Sequence, residues 1–244
     1  MKIYLCGTAN LGDFLNAMPV LSGVTLAYGK YTLVIKSEMR KFKGIREFLH
    51  YQDLFEKVVF DDEVVTYNEG LIQLSSWPMR DDKNDVNRPI ETCRYENWLK
   101  DYYNLRFLVD DNFILKVEEL NLPIDDSYYG GDRWSGPNID KRRRSWTLAH
   151  LPGIKFLDYN DDLMTNAYII KHCEEPFIST FTGISCIADL LNKKQIVLWS
   201  DDIRNWDNKP IEYSFDKHYY RNRNSILMYI NDFNVEKVNE YHRV

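Results

Sequence analysis

Residues 2–6, Lys-Ile-Tyr-Leu-Cys, have the composition of a short buried strand and run directly into a glycine-bounded loop at 7–13. Past that loop Phe14, Leu15, Met18, Leu21, Val24 and Leu26 recur at the spacing of one helix face, which predicts a helix over 13–28. The pattern then repeats: residues 32–35 read as a second apolar strand, 45–51 as a short helix and 57–60 as a third strand. Parallel neighbours can be joined only through a long crossover, so strands alternating with helices call for a parallel sheet with right-handed connections. A fourth strand is expected at 71–74, and a helix over 89–103 opens on Pro89, whose missing N–H costs nothing in a first turn.

Between 104 and 126 the alternation weakens to one short strand at 113–117 and a break at Leu122-Pro123. A lobe boundary belongs there, giving lobes of 1–120 and 121–244. The second lobe resumes the pattern with a strand end at Tyr128 and Tyr129, a helix near 146–151, and a strand at 154–157. A helix at 162–171, a strand at 176–179, a helix at 184–191 and a strand at 195–199 follow, and the last twenty residues read as a further helix packing back across the lobes. The expected fold is α/β: two Rossmann-like lobes with parallel sheets facing a central cleft.

A net charge of −6 repels polyanions, so any contact with phosphate or DNA needs a local basic patch. Cys6, Cys93, Cys173 and Cys186 are far apart, form no CxxC pair and have no histidine at metal-ligand spacing. They are expected to be reduced, buried thiols, and no metal is expected, since no Asp-x-Asp pair is present to hold one. The adjacent pairs Asp61-Asp62, Asp110-Asp111 and Asp161-Asp162 fit solvated turns. With no basic leader and no apolar run approaching the roughly 18 residues of a membrane span, a cytoplasmic protein is expected.

Two loops carry the candidate chemistry. The first, Gly7-Thr8-Ala9-Asn10-Leu11-Gly12-Asp13, lies at the carboxyl end of the first strand, where open α/β sheets bind ligands. It lacks the spacing of a dinucleotide fingerprint and the Lys of a Walker loop. Asp13 has two readings there: a helix cap, or a general base at the mouth of a cleft. The second loop, Ser179-Thr180-Phe181-Thr182-Gly183-Ile184-Ser185, again joins a strand to a helix start, and its hydroxyls and N–H groups suit a diphosphate or an ordinary N-cap. A run of four cations, Lys141-Arg142-Arg143-Arg144, sits between Trp134 and Trp146 and could neutralise a leaving phosphate.

The first block, Leu11-Gly12-Asp13-Phe14-Leu15-Asn16-Ala17-Met18-Pro19-Val20-Leu21, resembles the Gly-Asp, Leu and Pro-x-Leu signature of the lipopolysaccharide heptosyltransferase family. The segment from Glu175 through Thr182, Gly183 and Ile184 to Ala188 is similar to that family's donor-binding strand, Thr-Gly turn and helix. Lys141 to Arg144 with Ser145 and Trp146 looks like a loose form of its donor-phosphate segment. Two positions depart from the pattern: Phe181 stands where the family has Asp, and Cys186 where it has His.

The resemblance implies a two-lobed glycosyltransferase of the GT-B type, with an acceptor-side lobe at 1–120 and a donor-binding lobe at 121–244. It implies an inverting transfer from a nucleotide-sugar donor without cofactor or metal. Asp13 would be the catalytic base. Lys141, Arg142, Arg144, Thr180, Thr182, Gly183 and Ser185 would bind the donor, and Gly7, Thr8, Asn10 and Gly12 would line the acceptor or phosphate loop. The expected acceptor is a hydroxymethylated cytosine in phage DNA, flipped into the cleft with Arg133, Arg142, Arg143, Arg221 and Arg223 on the backbone; such an enzyme would act in the host cytoplasm. A cell-surface saccharide is the alternative acceptor, and a catalytically silent nucleotide-sugar-binding module is the alternative to an enzyme.

Overall fold

A computed structural model describes the chain except for residues 1, 6–9, 65–70, 75–84, 86, 132–152, 159, 200–214, 216–217, 222, 235–237 and 239–244. Cys6, Gly7, Thr8, Arg133, Lys141, Arg142, Arg143, Arg144 and the helix expected at 146–151 therefore lie outside the described residues.

The first lobe is built on four parallel strands, β1 (Lys2–Leu5), β2 (Tyr31–Ile35), β3 (Phe55–Phe60) and β4 (Leu71–Leu74), in the order β3-β2-β1-β4. Its helices are α1 (Leu11–Leu15), α2 (Met18–Tyr28), α3 (Ile45–Tyr51) and α4 (Ile90–Tyr103). The single helix expected over 13–28 is two. Ala17 N–H bonds Phe14 O at 3.0 Å, which tightens the turn, and a new helix starts at Met18 with Pro19 in its first turn. A proline there removes an N–H that has no partner at a helix start, so it favours a restart over continuation. The apolar pattern runs through the break because Phe14 and Leu15 of α1 are fully buried and α2 is buried on every side from Met18 to Val24; Leu26, expected on the same face, is exposed.

The second lobe carries five parallel strands in the order β6-β5-β7-β8-β9: β5 (Tyr128–Gly131), β6 (Ile154–Phe156), β7 (Glu174–Ser179), β8 (Gln195–Trp199) and β9 (Ser225–Tyr229). Helices α5 (Leu163–His172) and α6 (Gly183–Leu190) connect them, and Asp162 caps α5 by accepting from Thr165 N–H at 2.8 Å. The helix expected over the last twenty residues is corrected at its start. Residues 225–229 extend the sheet beside β8 in continuous register, where they pair the backbone edge that β8 would otherwise leave open.

Residues 104–127 join the two sheets without helix or strand. The strand expected at 113–117 does alternate, with Phe113, Leu115 and Val117 buried and Ile114 exposed. It pairs with no strand: Leu115 N–H goes to Leu190 O, while Lys116 exchanges bonds with the Gln52 amide in both directions. The segment is a strap held by backbone and side-chain partners from both lobes. No helix among the described residues is long and apolar enough to cross a membrane.

Candidate functional site

Helix α1 follows β1 and helix α6 follows β7, so each starts at the carboxyl edge of its parallel sheet, and the two helices pack against each other. This contact brings the two loops together. A Cβ built on Gly183 would lie 2.6 Å from Leu11 Cβ and 3.0 Å from Gly12 N, closer than real side chains come. Gly183 is thus required by helix approach, whatever else it contacts. Gly12 faces Cys186 Sγ and Gly183 across the same seam.

Asp13 sits in the first turn of α1, partly exposed, and Asn10 Nδ2 donates to its Oδ2 at 3.4 Å. The N-cap is Asn10 and not Asp13. Asp13 therefore complements the helix start through its charge and not as the cap. Glu91, buried in the first turn of α4, and His218, partly exposed, place one donor atom each within 4.8 Å of an Asp13 oxygen and of one another. Neither residue carries a sequence signal: Glu91 is one of many acids, and His218 lies some two hundred positions from Asp13, so only the fold brings them together.

Asn16 braces this junction. Its carbonyl accepts Thr92 Oγ1–H at 2.8 Å, locking the start of α4 to the end of α1, and its side-chain amide lies 3.4 Å from His218 Nδ1. His218 also brings an imidazole to the region where Cys186 replaces the histidine of the resembled family, and Cys186 Sγ is 4.0 Å from His218 O. Burial, then the nearby Asp189, Asp13 and Glu91 carboxylates, push the Cys186 thiol well above its ordinary range. It is a neutral packing group and no nucleophile. Cys93 and Cys173 are likewise free, buried thiols.

On the donor-side loop, Thr180 is largely buried and Thr182 caps α6. Ser185 is fully buried: its Oγ accepts Thr182 N–H at 3.2 Å, lies 2.6 Å from Thr182 O and contacts Tyr219 Oη. That geometry makes Ser185 a brace for the turn and leaves it no face toward a ligand. Phe181 packs edge-on against Phe215 and Tyr219, which stack on each other with centroids 4.8 Å apart. The position that carries an acid in the resembled family thus belongs here to an aromatic trio.

Arg223 does not offer a free guanidinium to a nucleic-acid backbone, correcting the expectation. Its Nη1 donates to Asp189 O and its Nη2 to Asp111 O and Phe113 O, each at 3.0 Å, and the guanidinium lies over the Tyr220 ring. Arg221 is exposed. The acid pairs expected in solvated turns are mostly committed: Asp61 accepts from Ser37 N and Tyr4 Oη, Asp110 from Ser22, and Asp111 forms a two-point pair with Arg88.

No family model matches the sequence, and no curated protein matches it. Solved structures match the fold along its whole length. The glycosyl transferase family 9 protein from Veillonella parvula DSM 2008 aligns over 99% of this chain and 89% of its own, at 13% identity and a TM-score of 0.55. E. coli heptosyltransferase WaaC with ADP aligns over 100% and 99% at 10% identity and 0.57. E. coli ADP-heptose lps heptosyltransferase II aligns over 100% and 98% at 10% identity and 0.59. At these identities the likeness is one of fold: two parallel α/β sheets arranged as in those enzymes.

Proposed function

We propose that this chain is a glycosyltransferase that moves a sugar from a nucleotide-sugar donor to an acceptor hydroxyl, with residues 1–120 as the acceptor-side lobe and 121–244 as the donor-binding lobe. The observation that supports this reading is the meeting of α1 and α6, where Leu11 and Gly12, the neighbours of Asp13 in the chain, pack against Gly183. Asp13 takes the proton of the acceptor hydroxyl as that oxygen bonds to the anomeric carbon from the face opposite the donor's nucleoside diphosphate. The carbon–oxygen bond to the diphosphate breaks with inversion, and the charge that develops there is the larger demand on the protein. Thr180, Thr182 and the first turn of α6 meet that charge, with Lys141, Arg142 and Arg144 as its cationic partners. Ser185 holds the turn in shape. Gly7, Thr8, Asn10 and, in the first turn of α1, Gly12 are assigned to the acceptor or to phosphate.

Between the two acceptors, a saccharide hydroxyl is favoured over hydroxymethylated cytosine in DNA. Arg223 is committed to three carbonyls, and the net charge of −6 opposes a duplex. Binding to hydroxymethylated DNA that falls steeply with salt would reverse that choice.

The test is a thermal-shift screen against nucleoside diphosphates and nucleotide sugars, paired with slow donor hydrolysis. One nucleotide class is expected to raise the melting temperature of wild type and Asp13→Asn alike, while Arg144→Ala loses the rise. Hydrolysis by Asp13→Asn should fall by about 10²–10⁴-fold, the usual worth of a positioned base. A nucleotide shift with no hydrolysis or transfer would mark a silent binding module, and no shift with any nucleotide would end the donor-site reading.

A further inference from the structure

We propose that Asp13, Glu91 and His218 form a binding site for one divalent transition-metal ion. Their donor atoms, two carboxylate oxygens and one imidazole nitrogen, lie within 4.8 Å of one another. In a metal's coordination shell such atoms stand roughly 3–4 Å apart, so a small turn of the side chains closes the set.

The three residues come from α1, α4 and the segment before Tyr219, and a single buried residue joins all three. Asn16, 3% exposed, ends α1, holds α4 through Thr92 Oγ1 and meets His218 at Nδ1. The Asn16 amide atom nearest Nδ1 is Nδ2; with the amide turned over, its oxygen accepts from Nδ1–H at the same place, and Nε2 is then left with the lone pair that a metal needs. Asp13 and Glu91 repel each other when both are ionised, and Glu91 is only 3% exposed; a cation between them turns that repulsion into coordination.

The donor set also selects. Mg²⁺ and Ca²⁺ favour oxygen-only shells, whereas one imidazole with two carboxylates suits Mn²⁺, Fe²⁺, Co²⁺ or Zn²⁺. Three protein ligands leave at least one coordination position for water or a ligand oxygen, an open arrangement unlike that of purely structural metals. The inference runs against the metal-free expectation drawn from the missing Asp-x-Asp pair, because a site assembled from three distant segments leaves no spacing to read. It does not depend on sugar transfer, since metal binding is measured without donor or acceptor.

The test starts from full-length protein stripped with a chelator and titrated with CoCl₂, MnCl₂ or ZnCl₂ alone. Co²⁺ binding is followed by its visible absorption and stoichiometry by elemental analysis. One equivalent per chain is expected, with affinity at least tenfold weaker in both His218→Ala and Asp13→Asn. His218→Gln serves where the alanine variant does not fold, and circular dichroism checks each variant. The absence of saturable binding overturns the site, as does one equivalent bound with the same affinity by both variants, which would place the metal elsewhere.

Discussion

Asp189 occupies a position that favours losing its charge. It is buried in α6 and accepts from Ser225 Oγ at 3.1 Å and Tyr220 N–H at 3.3 Å. Burial pushes its carboxyl up to about 6, against the opposing pull of Arg223 and those two hydrogen bonds. The unfolded chain titrates this group near 3.9, so the native state keeps the proton to higher pH. Its contribution to stability is therefore complete below about pH 4 and lost as pH rises through about 6, a change of about 3 kcal/mol. Asp189→Asn can still accept from Tyr220 N–H and donate to Ser225 Oγ, and it does not titrate. The urea stability of wild type relative to this variant is expected to fall between pH 4 and pH 7; parallel pH profiles would show that Asp189 is ionised throughout. The roles of single residues were legible in the sequence only in part even among chain neighbours: a helix was expected from 162, but Asp162 was read as half of a solvated acid pair and the structure makes it the cap of α5. They were not legible where the partner is distant: Glu91 and His218 beside Asp13, or Tyr219 beside Ser185.

At the level of elements, the contact between α1 and α6 is the joint on which the candidate site depends. Alanine at 183 would put a Cβ against Leu11 Cβ and the Gly12 backbone, and the backbone neighbour has no rotamer by which to yield. Gly183→Ala is expected to lower stability by about 1–3 kcal/mol, the usual cost of forced overpacking, which exceeds the roughly 1 kcal/mol that alanine gains in helix propensity. The urea midpoint should drop with an unchanged slope. An unaltered midpoint would mean that α1 moves away from α6 without cost. Element identity was well marked in the sequence wherever strand and helix periods differ: α3, β4 and β8 have the expected bounds. The misreadings have one cause. Apolar spacing reports which face is buried and not what the backbone bonds to, so the break at Asn16 and Ala17 was invisible, the strap at 113–117 resembled a strand, and β9 was read as helix.

For the whole molecule, alternation in the sequence revealed two parallel sheets but not how they are joined. The largest hydrophobic core is continuous across both, running from Ile3 and Leu33 in the first lobe to Phe177, Ile187 and Leu190 in the second. Backbone bonds cross as well: Leu163 N–H to Lys43 O at 3.0 Å, and Leu115 N–H in the strap to Leu190 O at 3.1 Å. Gly44, at φ 74°, lies against Asp162 in that seam, where a Cβ would come within 2.9 Å of the Asp162 Cβ. Arg223 adds three further bonds tying β9's approach to the strap and to α6. Lobes sharing a core in this way cannot unfold separately without exposing apolar surface on the lobe left behind, and that cost couples them. Hydrogen exchange followed by mass spectrometry in increasing urea is expected to show peptides from β2 and from β8 losing protection at the same denaturant concentration. A nucleotide held by the second lobe should then raise both midpoints equally, because stabilising either half stabilises the one cooperative unit. If β8 were protected by nucleotide while β2 kept its original midpoint, the lobes would be independent, and the shared core would contribute too little to join them.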